Sequence, residues 1–273
     1  MADRFHREGR TLQGRVALVT GSVGDGIGRS TALALANLGA DVALNYGTGR
    51  AQEEVESNGK CVQAAIEEMG SRSVLIRANT GDEQEVISLF QQIRKDLGSV
   101  DILVNNAGSV WLEQDFADIS AERWERTIAA ELNGAFYCMR EALPAMREKR
   151  WGRIINIVVD PTSLNLLINA QYGHVLDKYP HAFAVGKAAR KSLTHTLAFA
   201  ELKNKITINN ILPGIIEDIS LDEAIRDATT DPDTRVATRP SDVARVIAFL
   251  CLEEGGVITD SDIVIPGNLY SRL

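Results

Sequence analysis

Arg15-Val-Ala-Leu-Val-Thr20, then Gly21-Ser-Val-Gly-Asp-Gly-Ile-Gly28, then Arg29-Ser-Thr-Ala-Leu-Ala-Leu-Ala-Asn-Leu38, decide the fold of this 273-residue chain. The first stretch is continuously apolar, as a strand buried on both faces must be. The last repeats apolar residues at helical spacing, and Gly39 follows it as a helix stop. Between them the glycines serve a tight turn in which a Cβ would block the approach of a ligand. The helix N-terminus then presents unpaired N–H groups, a setting suited to a pyrophosphate. A glycine-rich turn alone is a weak signal, and strand, glycines and helix in this order strengthen it.

The same alternation continues outward. Further strands are expected at 41–45, 73–77, 100–104, 153–159, 206–211 and 262–265, and helices at 53–69, 83–97, 121–149, 183–201 and 241–252. Apolar strands separated by helices imply an α/β fold, a doubly wound parallel sheet covered on both faces, in a single domain over 1–273. The net charge of −8 argues against a nucleic-acid binder. No apolar run is long enough to span a membrane, and Met1 to Gly14 carry no apolar signal core. Cys61, Cys138 and Cys251 form neither a disulfide framework nor a metal spacing, so no metal and a reducing cytoplasm are expected.

Several motifs now combine. Gly21 to Gly28 resembles the Thr-Gly-x-x-x-Gly-Ile-Gly turn of the short-chain dehydrogenase/reductase family, with one extra residue. Asn105-Asn-Ala-Gly108 matches that family's Asn-Asn-Ala-Gly motif. Gly152-Arg-Ile-Ile-Asn-Ile157 is similar to its fifth strand, and Asn210-Ile-Leu-Pro-Gly214 to the loop after its sixth. The resemblance spans roughly residues 12 to 268 and implies a Rossmann-type oxidoreductase that binds a nicotinamide cofactor. It places Gly21, Ser22, Gly26, Ile27 and Gly28 around the pyrophosphate, and Asn79 and Thr80 against the adenine. Asn106, Ala107 and Gly108 fall on the adenosine ribose side, and Pro213, Gly214 and Ile216 near the nicotinamide. Asp218 stands where the family has a threonine. The second strand ends in Asn45-Tyr46-Gly47 with Arg50 beyond, and no acid is there to repel a 2′-phosphate. NADP(H) is therefore favoured over NAD(H), although Asp25 in the glycine turn argues the other way.

The family's Tyr-x-x-x-Lys pair is broken here. Lys187 is present, and Phe183 stands at the tyrosine position, Val159 at the serine position and Glu131 at the asparagine position. Phenylalanine and valine cannot donate a proton to a ketone oxygen. The stretch 165–180 is longer than the family's and holds Tyr172, His174, Asp177, Lys178 and Tyr179 as replacement acids. Tyr179, on the loop entering the Lys187 helix, is the first choice, because enoyl-reducing relatives also space tyrosine and lysine widely. Asp160 follows the fifth strand and would either pair with a cationic substrate or cap the Asp160-Pro161 turn. The catalytic candidates are thus Lys187, Tyr179 and Asp160.

Two functions stay open. One is a reductase with an altered proton donor, acting on a small-molecule C=O, C=C or C=N acceptor. An iminium would suit an apolar pocket beside Asp160 or Glu131. The other is a non-catalytic relative, a nucleotide-binding sensor or a partner subunit. A substrate lid is expected around 160–180 and 216–235. By resemblance, a homodimer or homotetramer would form through the helices at 121–149 and 183–201.

Overall fold

The computed structural model describes residues 11–47, 52–161, 179–216, 218–229 and 239–267. Seven parallel strands form one sheet in the order β3-β2-β1-β4-β5-β6-β7. They are β1 (Val16–Val19), β2 (Asp41–Tyr46), β3 (Ser73–Arg77), β4 (Ile102–Asn105), β5 (Gly152–Ile157), β6 (Ile206–Ile215) and β7 (Asp262–Gly267). The helices among the described residues are α1 (Ile27–Asn37), α2 (Gln52–Glu68), α3 (Glu83–Asp96), α4 (Ala121–Ile128), α5 (Gly134–Lys149), α6 (His181–Glu201), α7 (Leu221–Thr229) and α8 (Pro240–Cys251). Two apolar cores lie on opposite faces of the sheet. One joins α1 and α8 to the strands, and the other joins α3 and α5 to them. The strand order reverses between β1 and β4, and at such a switch the carboxyl ends of the strands leave a crevice for a ligand.

The doubly wound fold expected from the alternation is present, with three differences that bear on the site. The helix expected at 121–149 is divided by a π turn, Ala129–Asn133, which carries Glu131. β6 runs on to Ile215 through Pro213. Its pairing with β5 ends at Ile211, and Pro213 lies beyond it, opposite Ile265 of β7. The ring there interrupts no β5 ladder. Residues 221–229 of the expected lid, where no helix was read from the sequence, form helix α7. Arg50, Tyr172, His174, Asp177, Lys178 and most of the expected lid lie outside the described residues.

Candidate active site

The glycine turn is held by its neighbours. Thr20 Oγ1 accepts from the N–H groups of Asn106 at 3.0 Å and Ala107 at 2.9 Å. Asn106 Nδ2 donates to the carbonyls of Thr20 and Gly21, both at 2.9 Å. A Cβ on Gly28 would lie 2.4 Å from the Gly21 carbonyl oxygen and 2.5 Å from Asn106 Nδ2. Gly21 itself adopts φ 64° against Ala107, a left-handed conformation that favours glycine. In contrast, a Cβ on Gly24 would meet nothing within 4 Å, and one on Gly26 only Asp218 Oδ1 at 3.9 Å. The turn is closed towards the sheet and open on its other side. The N-cap of α1 is Gly26, with no side-chain cap and no acid in the first turn. Those free N–H groups and the open glycines fit a cofactor pyrophosphate.

Three polar residues expected around the cofactor turn their side chains to the scaffold instead. Ser22 is fully buried and exchanges hydrogen bonds with the Asn45 backbone. Asn45 accepts from Gly21 N–H at 3.3 Å and donates to the Ala78 carbonyl at 3.0 Å. Asn106 holds the turn as described. These side chains position the turn, and the cofactor surface they leave is backbone. Tyr46 is buried at the end of β2. Asn79 is exposed, and its Oδ1 accepts from Gly81 N–H at 3.0 Å, keeping one lone pair. Thr80 is buried against Gly134. Pro213, Gly214 and Ile216 are half-buried at the end of β6. Asp25 pairs with Arg29 at 2.7 Å, so its charge is partly compensated.

The reaction end is built on charges. Lys187 is buried on α6, and its Nζ donates to the Ile157 carbonyl at 3.2 Å and lies 3.3 Å from Glu131 Oε2. Glu131 also accepts from Ser109 Oγ at 2.9 Å and from Arg190 Nη2 at 3.2 Å. Arg190 donates to the carbonyls of Asn105, Ile157, Ala107, Ala130 and Glu131. It thereby ties the ends of β4 and β5 to the π turn, whose widened backbone frees carbonyls for an outside donor. Two glycines make room for the carboxylate. A Cβ on Gly108 would lie 2.6 Å from Glu131 Oε1, and one on Gly186 would lie 2.5 Å from Glu131 Cβ.

Burial pushes the Lys187 ammonium down to about 8; Glu131 opposes that push and the neighbouring Arg190 adds to it. Burial also works against ionised Glu131. Lys187 and Arg190, with the Ser109 hydrogen bonds, outweigh it and hold the carboxyl below its ordinary range. The two partners thus shift in the same direction, which an isolated ion pair would not do. The reason is first the burial of Lys187 and then the presence of Arg190 as a second cation on the one carboxylate.

Phe183 packs its ring on Trp111 at 5.4 Å and lies under Lys187 Nζ at 5.4 Å. Tyr179 is pinned by an antiparallel bridge to Gln114 and packs on Ala184, as does Val159. Its phenol oxygen is buried and has no hydrogen-bond partner among the described residues. Burial, and then the charge of Asp160, raise its pKa. Asp160 pairs with Lys191 at 3.1 Å, and Lys191 pairs also with Asp262 at 2.8 Å. Of the two roles expected for Asp160, substrate pairing and turn capping, neither allowed for this bridge. His181 stacks between Tyr179 and Phe116.

Arg190 and Ser109 escaped the reading of the sequence. A signal was present. The buried stripe of α6 runs Lys187, Arg190, Thr194, Ala198 and Glu201, and two basic residues on a core-facing stripe demand a buried acid.

A family model described as "Enoyl-(Acyl carrier protein) reductase" matches residues 22–267. A 3-oxoacyl-[acyl-carrier-protein] reductase FabG of Staphylococcus aureus is 31% identical over 258 residues, 93% of this chain and 97% of the relative. An L-rhamnose 1-dehydrogenase (NAD(P)(+)) of a Sphingomonas species is 30% identical over 277 residues, covering 97% of this chain and 99% of its own. Among solved structures, a blue fluorescent protein from a metagenomic library in complex with NADPH superposes with a TM-score of 0.75 at 27% identity, covering 95% of this chain and 99% of that one.

Proposed function

The chain belongs to the short-chain dehydrogenase/reductase family, and from that premise we propose that it is an NADP(H)-dependent reductase of a neutral small-molecule acceptor, a ketone or a conjugated C=C, with Tyr179 as the proton donor. The observation that carries this reading is the Tyr179 phenol, packed on Ala184 as Val159 is, with its buried oxygen lacking a partner among the described residues. An unpaired buried hydroxyl costs about 1–3 kcal/mol, and an acceptor oxygen beside Val159 would relieve that cost. Its raised pKa keeps the phenol protonated at neutral pH, as a proton donor must be.

When bound, the nicotinamide supplies the electron pair as hydride. Gly26, Ile27 and Gly28 offer the pyrophosphate backbone N–H groups, and Gly21, whose own N–H is held by Asn45, shapes the turn beside them. Lys187 holds a ribose hydroxyl with the ammonium hydrogen left after Ile157 and Glu131. Phe183 and Trp111 keep water from the reacting face. Both acids suited to an iminium, Asp160 and Glu131, already face cations, which favours a neutral acceptor over a charged one. The acid-free end of β2 and the compensation of Asp25 by Arg29 favour NADP(H) over NAD(H). Exposed Phe136 on α5 and Phe199 on α6 support a homodimer or homotetramer joined through those helices. The non-catalytic reading draws on one fact, that Lys187 is already neutralised by Glu131.

The test is a melting-temperature shift with NADPH and NADH, followed by ketone and enone turnover. NADPH is expected to give the larger shift. Tyr179→Phe is expected to lower turnover by about 100-fold or more with NADPH binding unchanged. Full activity in that variant removes Tyr179 from the chemistry. Binding with no turnover of any acceptor moves the protein to the sensor or partner-subunit reading.

A further inference from the structure

On the sheet face that packs against α6, one row of side chains crosses four strands. Asn105 of β4 stands opposite Asn156 of β5, Asn156 opposite Asn210 of β6, and Asn210 opposite Asp262 of β7. Residues level with one another on neighbouring strands share a face. The three asparagines are buried, Asn156 and Asn210 completely. Their hydrogen bonds form one chain. Asn105 Nδ2 donates to Asn156 Oδ1 at 2.8 Å, Asn156 Nδ2 to Thr194 Oγ1 of α6 at 2.9 Å, Thr194 Oγ1 to Asn210 Oδ1 at 2.6 Å, and Asn210 Nδ2 to Asp262 Oδ1 at 2.8 Å. The direction is forced. A carboxylate only accepts, so Asn210 turns its amide nitrogen to Asp262 and its oxygen to Thr194, and each link behind follows. The Lys191 carbonyl, 3.2 Å from Asn210 Nδ2, imposes the same orientation.

We propose that this row is a one-way hydrogen-bond chain through which the charge on Asp262 tightens the strand end that carries the cofactor turn. Every donor points towards the carboxylate, and bonds aligned in this way polarise one another in a low-dielectric interior. The last bond, to an ionised acceptor, is the strongest. Burial favours the neutral acid at Asp262, and the hydrogen bonds from Lys191 and Asn210 outweigh it and hold the carboxyl below its ordinary range. The group is therefore charged at neutral pH. Helix α6 sets how much of that charge the row feels. Lys191 Nζ lies 2.8 Å from Asp262 Oδ2 and His195 Nε2 lies 3.2 Å from Oδ1, while Asp160 and Asp260 hold the same two residues at 3.1 and 2.7 Å. At the other end, Asn105 is followed by Asn106, whose backbone and side chain hold Thr20 and Gly21. Asp262 is thus a positioning residue for the cofactor turn. It acts from the edge strand across three strand spacings of about 4.8 Å each. Residues so far apart ordinarily contribute independently. The chain itself stands without the catalytic reading, and its effect on NADPH rests on the cofactor reading.

The test isotope-labels the asparagine side chains of the full chain, follows their amide protons by NMR, and titrates the same samples with NADPH. Asp262→Asn is expected to move the hydrogen-bonded amide protons of Asn210, Asn156 and Asn105 upfield, by amounts that shrink along the row. NADPH binding is expected to weaken about fivefold. Thr194→Val cuts the row and keeps all three asparagines; in that background Asp262→Asn is expected to move Asn210 alone. If Asp262→Asn does not fold, Lys191→Met replaces it. That change removes the competing ammonium and is expected to move the same protons downfield. A shift confined to Asn210 in the otherwise intact chain overturns the proposal, and so does a shift at Asn105 that survives Thr194→Val. Unchanged NADPH affinity with the shifts present overturns the coupling to the cofactor turn. A wild type that binds no NADPH refutes the cofactor reading instead, and the amide shifts then decide the hydrogen-bond chain by themselves.

Discussion

At the glycine turn every decisive contact has backbone on at least one side, with Gly28 seated on the Gly21 carbonyl and the Asn106 side chain bridging to the carbonyls of Thr20 and Gly21. Around Lys187 the decisive contacts join side chains drawn from three separate stretches of chain, Ser109, Glu131, and Lys187 with Arg190 on α6. A backbone cradle tolerates only glycine and so keeps its sequence signature. A charge cluster can be rebuilt, provided the charges still balance. On the proposed reading, the family's pattern is accordingly kept at the first end and altered at Glu131, Val159 and Phe183 at the second.

The charge balance is the first place to break this contrast. Glu131→Leu leaves Lys187 and Arg190 as two buried cations, and Arg190→Leu leaves five carbonyls without their donor. Each is expected to cost about 3–5 kcal/mol, read from urea denaturation. The double variant is expected to cost less than the sum by about 1 kcal/mol or more. Strict additivity would show that the two residues do not act as a unit.

The pH dependence of stability sharpens the same point. Lys187 titrates near 8 folded and at its ordinary 10.5 unfolded. Between those values the unfolded chain binds more protons, so stability rises with pH across the window, by on the order of 3 kcal/mol in all. Lys187→Met is expected to flatten that rise. Glu131 has the opposite window. Its carboxyl is held low when folded, so its contribution is complete above the unfolded value of about 4.3 and is lost as pH falls through the folded one. Denaturation series at pH 8 to 10.5 in both proteins check the first window, and equal slopes would detach Lys187 from the cluster.

Gly28→Ala probes the other end. Its methyl would meet a backbone carbonyl at 2.4 Å, and such overpacking costs about 1–3 kcal/mol. NADPH affinity is expected to fall at least tenfold, with the rise between pH 8 and 10.5 unchanged. A change in that rise would mean that the two ends are mechanically coupled.

The contrast also explains what the sequence could yield. The sheet and the glycine turn were legible because their causes are local: apolar runs, helical spacing and glycines at contact points. The π turn was not, since it depends on Arg190 reaching across from α6 to the carbonyls of Ala130 and Glu131. Nor was the inward turn of Ser22 and Asn45, whose hydrogen bonds join β2 to the turn. Tyr179 could be picked out as a phenol near the Lys187 helix, and only the three-dimensional packing sets it, with Val159, against Ala184. Asp160 was identified from its place after β5, without the Lys191 bridge that occupies it.

That bridge makes Asp160→Asn the mildest of these changes. Both partners are partly exposed, and Lys191 keeps Asp262 at 2.8 Å when Asp160 is neutralised. A pair of this kind contributes no more than about 1 kcal/mol, and turnover at neutral pH is expected to stay within about twofold. The variant still reports on the site through Tyr179. The Asp160 charge adds to burial in raising the phenol's pKa, so removing it lets the phenol ionise at lower pH. The alkaline limb of the turnover profile is therefore expected to move down in pH while stability hardly changes. A limb that stays in place would separate Tyr179 from the proton transfer even if Tyr179→Phe were inactive, and a 100-fold loss at neutral pH would return Asp160 to the chemistry itself.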